Sequence, residues 1–110
     1  MVTKEELPAC PVATTVNLIG NKWKILILRD LLAGTKRFGE LRKGVAGISQ
    51  KVLTDNLRSL EEDGIVARKI YAEVPPRVEY SLSDVGETLR PIIEVMKKWG
   101  TAYKARFKAI

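Results

Sequence analysis

The chain has 110 residues, which sets one compact domain as the starting expectation, and a hydrophobic content of 45% excludes wholesale disorder. With 19 Lys and Arg against 13 Asp and Glu, the formal charge of +6 suits a polyanionic partner, although ordinary surface lysines give the same balance. A lone cysteine, Cys10, leaves no intrachain disulfide framework, and the lack of histidine removes the commonest general base and zinc ligand together.

Residues 1–9 read as a flexible N-terminal arm, and residues 10–110 as a single domain. The opening Met1-Val2-Thr3-Lys4-Glu5-Glu6 is polar and acidic, unlike a signal peptide, and no apolar run reaches the ~18 residues of a membrane span. A cytoplasmic chain without membrane contact is the expectation. Pro11 opens a first helix at the position where its missing N–H costs nothing. Val12, Val16 and Ile19 form that helix's apolar stripe, Gly20 ends it, and Asn21 can cap the next. The second helix, about Lys22 to Ala33, is apolar nearly all round through Trp23, Ile25, Leu26, Ile27, Leu28, Leu31 and Leu32, and so belongs in the middle of the domain. Thr35-Lys36-Arg37 reads as a short extended link. Phe38 to Lys43 forms a brief third helix, with Phe38 and Leu41 inward.

Gly44-Val45-Ala46-Gly47-Ile48 is a turn, and Ser49 is an N-cap for a fourth helix running to Asp63. Alternating residues over Ile65–Tyr71 and Val78–Leu82 predict two strands, with Pro75 and Pro76 confined to the hairpin tip because they lack ladder donors. Ser83 caps a fifth helix to about Leu89, and Pro91 starts or kinks the last. Two helices about a Gly-containing turn, followed at once by a hairpin, predict a winged helix-turn-helix. The fold class is mainly α with a small β-hairpin wing (α+β). The helix-turn-helix covers about 38–63, the wing about 65–82 with its tip at 72–77, and a C-terminal dimerisation helix about 91–109.

On the fourth helix, Val52, Leu53, Leu57 and Leu60 share one side. Gln50, Lys51, Thr54, Asp55 and Arg58 lie on or beside the other. Arg and Lys read guanine or hold phosphate, Gln pairs with adenine, and Thr touches phosphate or a thymine methyl. Ser49, Gln50, Lys51, Thr54 and Arg58 are therefore the candidate DNA-binding residues, joined by Arg77 at the wing, for a minor groove or a flanking phosphate. Arg68, Lys69, Arg42 and Lys43 are weaker phosphate candidates. The plainer reading is a solvated amphipathic helix and a charged hairpin tip; the position after a helix-turn-helix turn favours DNA. Ile92, Val95, Met96, Trp99, Tyr103 and Phe107 repeat at helical spacing over more turns than one small domain covers, so the second half of that stripe points to a partner helix. A two-fold dimer presents two recognition helices to half-sites about one DNA turn (~34 Å) or a multiple apart, which is to say a pseudo-palindromic operator in double-stranded DNA.

These residues resemble the HxlR-type winged-helix regulators, bacterial and archaeal, from Cys10 to about Gly100. The matching segments include Cys10-Pro11-Val12, Gly20-Asn21-Lys22-Trp23, Arg37-Phe38-Gly39-Glu40-Leu41, Ile48-Ser49-Gln50-Lys51-Val52-Leu53-Thr54, Leu57–Gly64, Val74–Leu82 and Lys98-Trp99-Gly100. Each is weak alone; their order and spacing are specific. The resemblance implies a homodimer, mostly a repressor, whose first and last helices form the interface. That makes Val12, Val16, Met96, Trp99, Tyr103 and Phe107 the interface candidates. It also implies that Cys10, directly before the proline of the first helix, stands where some members sense oxidants or electrophiles. A helix N-terminus in a cationic chain favours a nucleophilic thiolate. The alternative is an unreactive small residue near the interface. Without a second cysteine, sensing would yield an adduct, a mixed disulfide with a small thiol, or a bond to the partner's Cys10.

No catalytic constellation, metal cluster or cofactor loop is evident, so an enzyme is not expected. Two other readings stay open. One is a winged helix used for protein–protein contact without specific DNA binding. The other is a ligand-gated regulator with an apolar pocket at the dimer interface, lined by Trp99 and Tyr103.

Overall fold

The structure, a computed structural model, describes residues 4–108. Of the expected arm, residues 1–3 lie outside the described residues, as does residue 109 of the last helix. Lys4–Glu6 make a single 3-10 turn, and the Thr14 hydroxyl donates to Pro8 O at 3.1 Å, tying the segment to the helix that follows.

Helix α1 spans Pro11–Ile19 with Pro11 at its first position, and α2 spans Lys22–Leu32. Strand β1 is Lys36–Arg37. Helix α3 is Phe38–Gly44, α4 Gln50–Glu62, β2 Val66–Tyr71 and β3 Arg77–Leu82. A four-residue α5, Asp84–Glu87, leads to α6, Arg90–Lys108. The expected winged helix-turn-helix is present, with differences of detail. Lys36–Arg37 is a strand rather than a link, so the sheet is three-stranded and antiparallel in the order β1-β3-β2. The fifth helix stops at Glu87 instead of about Leu89, with Thr88 as its C-cap, and α6 begins at Arg90 with Pro91 in its first turn.

The caps follow local chemistry. Asn21 accepts from Lys24 N at 2.8 Å, Ser49 from Val52 N at 3.1 Å and Ser83 from Gly86 N at 3.0 Å, each satisfying an orphan donor of a first turn. At α3 the N-cap, Arg37, brings no acceptor, and Glu40 reaches back to Arg37 N instead, at 2.9 Å.

Helix α2 is central. Its Ile27, Leu28 and Leu31 are buried among Leu41 of α3, Leu53, Leu57 and Leu60 of α4, Val66 of β2 and Ile93 of α6. Val45 and Ile48 plug the turn between α3 and α4 into the same core. Trp23, Ile25, Leu26 and Leu32 are only partly buried against it. On α6 the core takes Ile93, whereas Val95, Met96, Trp99, Tyr103 and Phe107 stay exposed.

Candidate nucleic-acid interface

The turn that sets α4 against α3 is anchored from two directions. Val45 and Ile48 point into the core, and Gly47 has φ +83°, a conformation other side chains adopt only at a cost. Beneath it, Arg29 of α2 donates from Nη2 to Gly44 O at 3.0 Å and from Nε to the Asp30 carboxylate at 3.0 Å. The Asp30 carboxylate fills the space a Cβ at residue 44 would need, which explains glycine there.

With Leu53, Leu57 and Leu60 fixed inward, α4 turns Ser49, Gln50, Lys51, Asp55 and Arg58 to solvent. The Ser49 oxygen caps the helix, leaving its O–H free to donate outward. Thr54 is half-buried and donates its hydroxyl proton to Gln50 O at 2.9 Å, which leaves its methyl group and lone pairs for a ligand. Lys51 is paired with Asp55 at 2.7 Å, both well exposed, a contact worth only a few tenths of a kcal/mol. Arg58 makes no ion pair among the described residues. Arg42 and Lys43 are exposed at the end of α3.

The wing is more constrained than its sequence implies. Arg77 opens β3, opposite Tyr71 of β2, rather than occupying the tip. Its guanidinium lies 4.0 Å from the Tyr71 ring centroid, 3.5 Å from Glu73 and 3.6 Å from Glu79. Lys69 Nζ approaches the same ring at 4.9 Å. Arg68 lies 3.5 Å from Glu61 of α4, linking wing to helix. At the tip, Val74, Pro75 and Pro76 are exposed. Burial pushes the Tyr80 phenol up from its ordinary value; Arg68 opposes this, Glu61 adds to it and Arg58 opposes it again.

Sequence reasoning missed one contact that positions α4. Asn21 donates from Nδ2 to Asn56 Oδ1 at 3.0 Å, while Asn56 Nδ2 donates to Val52 O at 2.7 Å. One side chain thus caps α2 and ties it to α4. No spacing rule links residues this far apart.

Cys10 is the exposed N-cap residue of α1, its carbonyl accepting from Thr14 N at 3.0 Å. Val12 and Val16 are exposed on the same helix. On α6, Trp99 and Tyr103 stack with centroids 5.2 Å apart, and Phe107 meets Tyr103 edge-on at 5.1 Å. Trp99, Tyr103, Ala102 and Arg106 line a cleft of about 160 Å³. A larger one of about 480 Å³ lies between α2 and α6 against Ile25, Leu26, Leu32, Ile93 and Met96.

A helix-turn-helix followed by a three-stranded wing agrees with a family match over residues 18–108, described as HxlR-like helix-turn-helix. The chain belongs to the HxlR-like helix-turn-helix family. Like its relatives, it is a transcriptional regulator and not an enzyme. The chain is 49% identical to the uncharacterized HTH-type transcriptional regulator YdeP of Bacillus subtilis over 104 residues, 94% of this chain and 81% of that protein. Among solved structures, the redox regulator HypR in its oxidized form superposes with a TM-score of 0.81 at 49% identity, covering 84% of this chain and 96% of that one. Diamide-treated YodB from B. subtilis gives 0.71 at 35% identity, covering 86% and 94% respectively. No helix of the described residues is long and apolar enough to cross a membrane.

Proposed function

We propose that this HxlR-like regulator is a cytoplasmic homodimeric repressor that binds a pseudo-palindromic operator, with α4 in the major groove and the wing on the flanking backbone. The observation that carries the reading is the polar face of α4. Gln50, Lys51 and Arg58 stand exposed on a helix whose opposite face is locked into the core, just after an anchored turn. Ser49, Gln50, Lys51, Thr54 and Arg58 make the groove contacts in this reading, and Arg77 serves the wing. The net charge of +6 supports association with phosphate.

Dimerisation joins Val12 and Val16 of α1 with Met96, Trp99, Tyr103 and Phe107 of α6 to the same residues of a second copy. The exposure of these side chains supports it, because a small chain rarely leaves so many large apolar side chains in water. Within the same reading, Cys10 is a thiol sensor. Its exposure at a helix N-terminus and the likeness to a redox regulator and to a diamide-treated one support that role.

A gel-shift titration of the reduced protein on its own upstream DNA, at two salt concentrations, tests the whole reading. Specific binding lost after mild oxidation or quinone treatment, and retained in Cys10→Ser, is the expected result. Binding untouched by treatment removes the sensor and keeps the regulator. Absence of specific binding favours the protein-contact reading. Gating by a ligand also has an observation in its favour: the cleft between α2 and α6 falls within the usual size of small-molecule sites, whereas that beside Trp99 and Tyr103 is too small.

A further inference from the structure

Arg77 holds an unusual position for a cation expected to grip phosphate. Its side chain is 28% exposed, stacked on Tyr71 and facing the carboxylates of Glu73 and Glu79. Its Nε is buried with no hydrogen-bond partner, since the Glu79 oxygen at 3.6 Å is an ion pair too long for a hydrogen bond. Glu79 is shared: in register it faces Arg37 of β1 on one side and Lys69 of β2 on the other. Glu73, half-exposed in the loop, serves Arg77 alone among the described ion pairs. A phosphate approaching this guanidinium therefore meets a carboxylate already there.

We propose that Glu73 is a specificity-determining residue of the wing, acting by holding Arg77 against phosphate until the recognition helix is seated. The inference rests on the DNA-binding reading above. In a random encounter the wing meets the backbone with Glu73 in place, and the like charges repel. At the operator, base contacts from α4 hold the wing close to one phosphate long enough for the exposed loop carboxylate to swing away and for Arg77 to exchange partners. Glu73 is suited to leave because its loop lacks a ladder partner, whereas Glu79 is fixed in the middle strand of the sheet. The stack on Tyr71 keeps the guanidinium aimed while the exchange occurs. Glu73 thus weakens non-specific binding more than specific binding.

The test compares wild type, Glu73→Gln and Glu94→Gln, the last carrying the same charge change on α6, by fluorescence anisotropy on operator and on scrambled duplex. A carboxylate about 6 Å from a phosphate in water corresponds to about a threefold change in affinity. Glu73→Gln should therefore bind scrambled duplex about threefold tighter with a steeper salt dependence, bind operator with a smaller gain, and so lower the specificity ratio. Equal gains on both duplexes, a gain matched by Glu94→Gln, or no gain would overturn the proposal while leaving DNA binding intact. Failure of the wild type to bind either duplex would overturn both. Because Glu73 lies in an exposed loop, an unchanged melting temperature of Glu73→Gln serves as the folding control.

Discussion

Severing the bridge between Asn21 and Asn56 tests whether α2 holds α4 through side-chain hydrogen bonding as well as through the core. Asn21 does two things at once, capping α2 through Lys24 N at 2.8 Å and donating to Asn56 at 3.0 Å. Asn21→Ala removes both. Loss of an N-cap costs about 1 kcal/mol, and the bridge, being exposed, belongs at the lower end of the range for a hydrogen bond, about 0.5 kcal/mol. Asn21→Ser keeps a cap oxygen and drops only the donor to Asn56, so it should cost about a third of what Asn21→Ala costs. Combining Asn21→Ser with Asn56→Ala completes a double-mutant cycle whose coupling should be about 0.5 kcal/mol. Urea midpoints at one fixed protomer concentration provide the readout, because the proposed dimer would make stability depend on concentration. A coupling indistinguishable from zero across replicate cycles, or Asn21→Ala costing no more than Asn21→Ser, would refute the reasoning.

Trp99→Asp removes the middle of an exposed aromatic ladder and puts a charge in its place, so the dimer dissociation constant should rise on the order of a hundredfold, about 3 kcal/mol; sedimentation velocity that still finds a full dimer would count against α6 as the interface. Lys51→Ala should weaken DNA binding and lower the salt slope by about 1, and a titration at three salt concentrations checks both. Leu57→Ala opens the contact between α4 and the core at a side chain only 2% exposed, for a loss of about 2–5 kcal/mol in thermal or urea unfolding. Tyr80 has a raised folded-state value, chiefly through burial, so its contribution to stability is complete below its unfolded value of ~10 and is lost as pH rises through the folded one. Tyr80→Phe should flatten the alkaline limb of the stability profile.

Sequence alone reveals those parts of the molecule that depend on neighbours along the chain. Asn21, Ser49 and Ser83 announce helix starts because a short polar side chain reaches an orphan N–H two or three residues on. The apolar side of α4 is legible because its period is that of a helix. A strand of two residues has no period, and β1 exists only because β3 offers Lys36 and Arg37 a partner at Tyr80 and Glu79. For the same reason the hold on Arg77 is invisible in the sequence: it needs the register that sets Tyr71 opposite Arg77, and the loop path that returns Glu73 beside them. The candidate DNA residues of α4 could be named, but not that Lys51 and Thr54 already have intramolecular partners.

Shape supplies the remaining argument for a second copy. A compact chain of this length has a radius of gyration of ~13 Å, whereas this one has 15.6 Å and a long axis of 55 Å. Helix α6, 19 residues long, extends ~28 Å, while its buried apolar anchor, Ile93, lies in the first turn. The aromatic ladder follows on the part of the helix that the core leaves exposed. Stacking within the ladder at 5.2 and 5.1 Å spares part of each ring from water but leaves the outer faces wet. Among the described residues nothing covers those faces, and α1 leaves Val12 and Val16 exposed too. In the proposed dimer, two such chains would remove both apolar sets from water in one association. A two-fold dimer of that kind would also duplicate α4, so the surface that costs the monomer most in water is the one that would give the regulator two copies of its candidate DNA-binding helix.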